Sequence, residues 1–334
     1  MKKLVALVLT IVLAATLAAG CRPKAKPAPP ATEKLQEVTV LLDWTPNTNY
    51  TGLYVAAAKG YFQEEGLKIK ILPPAEGSVS QLTAAGKTDF GVSYQEEVTN
   101  ARVAGMPVKA IATVIQHNTS GFASPAEKGI KTPKDFEGMR YGGWGSPMEE
   151  AVIKGIMHKQ GADFSKVRMV NIGSTDFFAA VKRDVDFAWI YWGWAGIEAE
   201  LRGMELNFIK VAAEDPALDY YTPVLITNEE TLAKRPELVR KFLQATSRGY
   251  EFAIANPEEA AELFLEAVPE LDRELVLASQ KYLSKEYQAD ASRWGEMKES
   301  VWKNYAEWMF DNELIEQKLD YKEAFTNEFL PPKQ

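Results

Sequence analysis

From residue 38 onward, short apolar runs alternate with helical patterns about ten residues long, and that rhythm restricts the fold more than any other feature of the chain. Val38–Asp43, Leu67–Leu72, Phe90–Tyr94 and Val108–Ile115 read as strands. Thr51–Lys59, Ser78–Ala85 and Glu96–Ala104 read as helices, stopped by Gly60, Gly86 and Gly105. Strands separated by helices imply βαβ units and a parallel sheet in an α/β architecture. A second series follows a Gly/Pro-rich segment at 121–138. Its strands are Arg140–Gly142, Val167–Val170, Phe187–Tyr191 and Phe208–Val211, and its helices fall at 147–160, 175–183 and 194–202. Tyr221–Thr227 reads as a strand returning to the first series. From Glu229 the pattern is almost wholly helical, with breaks at Pro236, Pro257 and Pro269. The expected body has two α/β lobes, 38–120 with 222–334 and 121–221, and extra C-terminal helices.

The two series echo each other. Asp89-Phe90-Gly91-Val92-Ser93-Tyr94 and Asp186-Phe187-Ala188-Trp189-Ile190-Tyr191 share Asp-Phe-x-x-x-Tyr. Each Tyr then falls at the carboxyl end of its strand, where open α/β sheets bind ligands.

Composition removes several function classes. With 38 Lys and Arg against 46 Asp and Glu, the net charge is −8, which argues against a nucleic-acid surface. One Cys and two His exclude a disulfide framework and a Cys/His zinc site. The length of 334 residues suits two domains.

The N-terminus reads as an export signal over residues 1–20. Lys2 and Lys3 precede an apolar run from Leu4 to Ala19, shorter than the roughly 20 residues of a membrane span. It ends in Leu17-Ala18-Ala19-Gly20-Cys21, which looks like a lipobox, so Cys21 is the expected lipidation site. Residues 21–37, with Pro23, Pro27, Pro29 and Pro30, read as an extended tether.

Four clusters with site chemistry fall at expected strand ends. The first is Asp43-Trp44-Thr45-Pro46-Asn47-Thr48-Asn49-Tyr50, which mixes rings, a carboxylate and amides. The second begins at Tyr94, where Glu96 and Glu97 read mainly as helix-dipole partners. The third is Tyr141-Gly142-Gly143-Trp144-Gly145-Ser146-Pro147-Met148-Glu149. Its glycines permit close approach by a ligand, while Ser146, Pro147 and Glu149 form a capping box. The fourth holds Trp189, Tyr191, Trp192 and Trp194, with Glu198 on the helical face of Trp194. Trp189, being mid-strand, belongs to the core. The expected ligand contacts are Asp43, Trp44, Asn47, Tyr50, Tyr94, Gly143, Trp144, Tyr191, Trp192, Trp194 and Glu198. Flat rings, amides and carboxylates with few Arg or Lys suit a planar heterocycle bearing N–H donors, or a cation over the rings, better than an anion.

These same residues carry a resemblance. Asp43-Trp44-Thr45-Pro46-Asn47-Thr48-Asn49, Thr51-Gly52-Leu53-Tyr54-Val55-Ala56, Lys59-Gly60-Tyr61-Phe62, Gly142-Gly143-Trp144-Gly145-Ser146-Pro147 and Asp186-Phe187-Ala188-Trp189 resemble the ABC-importer substrate-binding proteins for thiamine pyrimidine precursors, the ThiY-like/NMT1 family. The resemblance covers about 38–330. It implies a type II periplasmic-binding-protein fold, two doubly wound lobes closing over one ligand. It also implies a formylaminopyrimidine or hydroxymethylpyrimidine ligand, delivered to an ABC permease by a monomer tethered to the outer face of the cell membrane. The family motif has His where this chain has Tyr50. Similar proteins bind riboflavin or other planar compounds, which is the alternative cargo. Eukaryotic relatives are pyrimidine synthases that use pyridoxal phosphate, and Lys59 lies in a segment comparable to the one holding their Schiff-base lysine. The export signal, Tyr50 in place of His and the lack of a cysteine-rich iron motif argue against that activity here, so neither a catalytic residue nor a cofactor is expected.

Overall fold

The computed structural model describes residues 35–173 and 175–333. Cys21, the signal-like segment and the prolines of the tether lie outside the described residues. Among the described residues no helix is long and apolar enough to cross a membrane.

Strands β1 (Gln36–Leu41), β2 (Leu67–Leu72), β3 (Phe90–Ser93) and β4 (Val108–Thr113) come first. Then follow β5 (Ser120–Pro125), β6 (Arg140–Gly143), β7 (Arg168–Asn171), β8 (Phe187–Tyr191), β9 (Leu206–Lys210) and β10 (Val224–Asn228). They form two five-stranded sheets of matching order, β2-β1-β3-β10-β4 and β7-β6-β8-β5-β9. The expected parallel sheets are mixed. In the first sheet β10 runs antiparallel between β3 and β4, and in the second β5 runs antiparallel between β8 and β9. Both reversed strands arrive from the other lobe, without the crossover helix that a parallel neighbour requires.

Strand β5 lies where a Gly/Pro-rich connection was expected. Its sequence, Ser-Gly-Phe-Ala-Ser-Pro, lacks the β-branched residues that mark strands, yet all six residues are buried. A Cβ on Gly121 would lie 2.3 Å from the Ile209 carbonyl oxygen, so small residues here permit a tight fit to β9. Strand β1 also begins earlier than expected, because Gln36 and Glu37 pair with Leu67 and Lys68 rather than joining the tether.

The Asp-Phe-x-x-x-Tyr echo has a structural cause. Asp89 accepts from the Thr39 amide at 3.0 Å and from Arg235 at 2.8 Å. Asp186 accepts from the Arg140 amide at 3.0 Å and from Lys128 at 2.9 Å. Each Asp fastens the neighbouring parallel strand, β1 or β6, and the following Phe enters its sheet. Tyr94 follows β3 and Tyr191 ends β8, so the two occupy equivalent positions.

The principal helices are α1 (Thr51–Ala58), α2 (Val79–Ala84), α3 (Gln95–Val103), α4 (Pro147–Lys159), α5 (Phe177–Arg183) and α6 (Ile197–Leu201). They continue with α7 (Pro236–Ala255), α8 (Pro257–Ala267), α9 (Arg273–Glu286) and α10 (Glu299–Asp311). Pro236 and Pro257 open α7 and α8, where a missing N–H costs nothing. Helices α1 and α7 cross at two glycines: a Cβ on Gly249 would lie 2.0 Å from the Gly52 carbonyl oxygen. Phe90 stacks on Phe242 of α7 at 3.8 Å, tying this layer to the first sheet.

The segment 222–334, expected to belong with the first lobe, is divided. Trp302 of α10 packs with Val98, Ala110 and Val224 beside the first sheet. Tyr305 and Met309, one turn on, join Phe122, Tyr141 and Phe187 in the core of the second.

Candidate functional site

Large rings avoid water unless something holds them there, so exposed rings are informative. Among the described residues the exposed ones are Trp44 (58%), Tyr94 (36%), Trp144 (45%) and Tyr191 (40%). All four stand just beyond or at the ends of β1, β3, β6 and β8, two from each sheet. Trp144 is supported edge-on by buried Trp189 at 5.9 Å, and Trp189 in turn by Phe122 at 5.0 Å.

Acidic and phenolic groups at these strand ends act on one another across the two sheets. Burial pushes the Asp43 carboxyl up to about 6, with Glu97 adding to it and a hydrogen bond from Tyr50 opposing it. Burial pushes Glu96 up to about 7, reinforced by Glu97 and Glu149. The Tyr94 phenol is held well above its ordinary value by burial, Glu97, Glu96, Tyr191 and Asp43. Tyr191 is pushed up to about 12 by burial and by Asp43 and Glu96, while Thr222 pulls the other way. Rings that water reaches but that protein atoms surround are the walls of a cleft. Asp43 and Glu96 come from the first lobe and Tyr191 from the second, so their influence on it puts these groups near one another.

Neighbouring carboxylates are committed to structure. Glu97 accepts from Ser78, from Ser93 at 2.5 Å and from the Ser80 amide at 3.3 Å. Glu149, fully buried, accepts from the Tyr141 hydroxyl at 2.5 Å and from the amides of Trp144, Gly145 and Ser146 at 3.2, 2.8 and 2.9 Å. The Ser146–Glu149 capping box is therefore present and extends back through the loop to Tyr141. It occupies the amides that an anion at the start of α4 would need.

Several expected contacts lie elsewhere. Tyr50 is 1% exposed and its hydroxyl donates to Asp43 Oδ1 at 2.7 Å, so it holds Asp43 from behind. Asn47 caps its own turn: Oδ1 accepts from the Asn49 amide and Nδ2 donates to the Thr45 carbonyl, each at 3.0 Å. Gly143 is required by Glu149, whose Oε1 would sit 2.2 Å from a Cβ there, rather than by a ligand. Trp192 packs into the second lobe against Phe208 at 4.7 Å. Trp194 sits in a π-helical turn, Trp192–Gly196, and packs with Tyr54, Phe264 and Val276. That turn replaces the expected start of the helix at 194 and changes which residues share a face. Glu198 pairs with Arg202, whose guanidinium covers the Phe178 ring at 4.0 Å. Of the expected residues, Asp43, Tyr94 and Tyr191 act on one another, and Trp44 and Trp144 stand exposed just beyond β1 and β6.

Glu96, Tyr220 and Tyr305 are electrostatically linked to Tyr191 and were not among the expected contacts; Tyr220 and Tyr305 are buried in the core of the second sheet. Glu96 was visible as a strand-end acid, but its place in the first helical turn gave it an ordinary explanation. Tyr305 carried no signal, because it lies in a helix with a packing pattern. Lys59 is directed away: its ammonium pairs with Glu259 at 3.1 Å and covers the Phe252 ring at 3.9 Å, at the end of α1 opposite the cleft. That position does not fit a pyridoxal phosphate linkage within the cleft.

The cleft thus offers ring faces for stacking and carboxyls for N–H donors. Among the described residues no Arg or Lys forms an ion pair with Asp43 or Glu96, and no group of His, Cys, Asp and Glu could hold a metal ion.

Comparison with known proteins gives a consistent picture. A family model described as NMT1/THI5 like matches residues 47–260. A formylaminopyrimidine-binding protein of Halalkalibacterium halodurans is 29% identical over 309 residues, covering 88% of this chain and 91% of that protein. The riboflavin-binding protein RibY of Chloroflexus aurantiacus is 30% identical over 320 residues, covering 92% and 90%. A 4-amino-5-hydroxymethyl-2-methylpyrimidine phosphate synthase of Legionella pneumophila is 29% identical over 297 residues, covering 88% and 92%. In fold, the periplasmic aliphatic sulphonate binding protein SsuA of Escherichia coli superposes with a TM-score of 0.70 at 15% identity, covering 90% of this chain and 95% of that one. The two lobes have the periplasmic-binding-protein fold.

Proposed function

The chain belongs to the NMT1/THI5-like family, and on that footing we propose that it is an extracytoplasmic solute-binding lipoprotein. It captures a thiamine pyrimidine precursor, formylaminopyrimidine or hydroxymethylpyrimidine in kind, and hands it to an ABC permease. The observation that carries this reading is that exposed Trp44, Tyr94, Trp144 and Tyr191 stand at the strand ends that also hold the desolvated acids Asp43 and Glu96. Rings stack on a flat heterocycle and the acids accept from its amino group. The lobes close because the closed state makes contacts with the ligand from both sides. Trp44 and Trp144 serve as reporters: their emission should change saturably with an aminopyrimidine, and a flat titration would reject the assignment. Anchoring through Cys21 predicts that Cys21→Ala releases the protein from the membrane fraction.

Riboflavin is the second reading, favoured by the relative named for binding it. It uses the same rings with a larger ring system. A thermal-shift series separates the two cargoes, since the true ligand raises Tm with dose. Binding rather than catalysis is the activity we assign, because Lys59 points away from the cleft.

A further inference from the structure

Ser279 of α9 is fully buried and joins the two lobes. Its hydroxyl donates to the carbonyl of Gly193, just beyond Tyr191 in the second lobe. The same oxygen lies 2.5 Å from the hydroxyl of buried Thr48, in the first-lobe segment that carries Trp44. A serine hydroxyl has a single hydrogen. That hydrogen goes to a carbonyl, which can only accept, so the Thr48 hydroxyl is the donor in the second contact. The chain runs one way, from Thr48 to Ser279 to Gly193.

Both ends of this chain are fixed. The Tyr287 hydroxyl, just past α9, donates to the Thr48 carbonyl at 2.6 Å, and the Tyr250 hydroxyl of α7 donates to the Asn49 carbonyl at 2.7 Å. Tyr50, the next residue, holds Asp43. In the second lobe, a Cβ on Gly193 would lie 2.7 Å from Leu283 Cδ2 of α9, and Trp194 packs with Phe264 of α8 and Val276 of α9. Helices α8 and α9 themselves enter the core of the first sheet through Ala260 and Leu283. The π-helical turn Trp192–Gly196 is therefore seated on the other lobe, and such turns are rare outside functional sites. The Trp192 amide also donates to the Thr119 carbonyl at 3.1 Å, so the tie lies beside the connection from β4 to β5, where the chain passes between lobes.

We propose that Ser279 is a positioning residue: by tying Thr48 to Gly193 it holds the Tyr191 ring of the second lobe in register with segment 43–50 of the first. Ser279 itself touches no ligand. The proposal rests on the reading of these strand ends as a heterocycle site. Two recognition segments fixed relative to each other by the protein bind without the cost of ordering them, so a hydroxyl outside the site contributes to affinity.

The test uses the whole chain, freed of ligand, with formylaminopyrimidine, hydroxymethylpyrimidine and riboflavin as probes. Ser279→Ala removes both contacts, Thr48→Val removes one while keeping the shape, and Thr48→Ser keeps the hydroxyl. At a temperature where each variant is folded, Ser279→Ala and Thr48→Val should weaken the probe that binds by about tenfold, the scale of one buried hydrogen bond. Thr48→Ser should bind as the wild type does. Amide hydrogen exchange across Trp192–Gly196 should quicken in Ser279→Ala and Thr48→Val, although neither residue lies in that turn. A merely structural role lowers Tm and leaves affinity unchanged, and that result overturns the proposal. Equal weakening by Thr48→Val and Thr48→Ser overturns it too, since the hydroxyl then has no part. If Ser279→Ala does not fold, the Thr48 pair decides. If no probe binds the wild-type chain, the heterocycle reading fails by itself, and exchange across Trp192–Gly196 judges the tie: faster exchange in the variants upholds it and unchanged exchange overturns it.

Discussion

The Tyr50 hydroxyl donates to Asp43 Oδ1 at 2.7 Å from a position almost closed to water. Tyr50 therefore shapes the cleft without entering it, by fixing the rotamer of an acid that does. This gives Tyr50 a defined task. Tyr50→Phe should raise the Asp43 carboxyl further above about 6, since it removes the interaction that lowers it. Ligand affinity near pH 6 should fall more than affinity near pH 8. A pH series of binding isotherms checks this, and a uniform loss at every pH would contradict it.

The two desolvated acids give the ligand-free protein a pH dependence of known sign. The ordinary values are 3.8 and 4.5, and the folded values about 6 and 7 for Asp43 and Glu96. The folded chain holds more protons across that window, so this contribution to stability is present at acid pH and lost as pH rises through 6 to 7. His117, raised by its hydrogen bond to Asp219, adds a loss of the same sign. Asp43→Asn and Glu96→Gln should each raise the ligand-free Tm at pH 8 and flatten its fall between pH 5 and pH 8. Melting curves at four or five pH values read this directly.

Trp44 and Tyr191 are exposed and belong to none of the buried core clusters. Trp44→Ala and Tyr191→Ala should each weaken binding roughly tenfold, the scale of a lost stacking contact. The ligand-free Tm should move by only a degree or two for Trp44→Ala, whose ring is mostly in water. Trp194→Ala should behave in the opposite way, lowering Tm through lost packing against Phe264 and Val276 while leaving the cleft intact. Fluorescence titration beside thermal melts separates the two classes.

Glu149 closes the Gly-rich loop with four hydrogen bonds from a fully buried position. Glu149→Ala strands the Tyr141 hydroxyl and three amides and should cost about 3 kcal/mol or more. Because Trp144 rides on this loop, its near-ultraviolet circular dichroism should weaken even at temperatures where the variant stays folded.

Gly249 and Gly52 let α1 and α7 approach to backbone contact. Gly249→Ala must push them apart, at a cost of about 1–3 kcal/mol or above. Urea unfolding measures it, and a neutral result would show that the crossing can relax.

The alternation of strands and helices was legible because apolar period and glycine stops are local signals. The strand-end clusters were legible for the same reason, and Trp44, Trp144, Tyr94 and Tyr191 do stand exposed at strand ends. What the residues alone left open was direction. Trp192 and Trp194 sit among the same kinds of neighbours as Tyr191, but in the π-helical turn Trp192–Gly196 the first packs against Phe208 and the second joins the cluster of Phe264 and Val276. Strand β5 was hidden because its burial comes from small residues fitted to β9, a fact of packing with no periodicity. Tyr305 was hidden because its partners lie far off in sequence, and a phenol at helical spacing reads as core, where the structure places it.

Helix α10 carries a mechanical consequence. Trp302 is seated in the core beside the first sheet and Tyr305 in the core of the second, so a single helical turn spans both bodies. If the lobes change their separation, the helix cannot follow both. One of its two seams must shear, by the small sliding steps that close-packed side chains allow. The seam that slips sets how far the jaws can part, and the helix becomes a stop built from packing rather than a loose hinge.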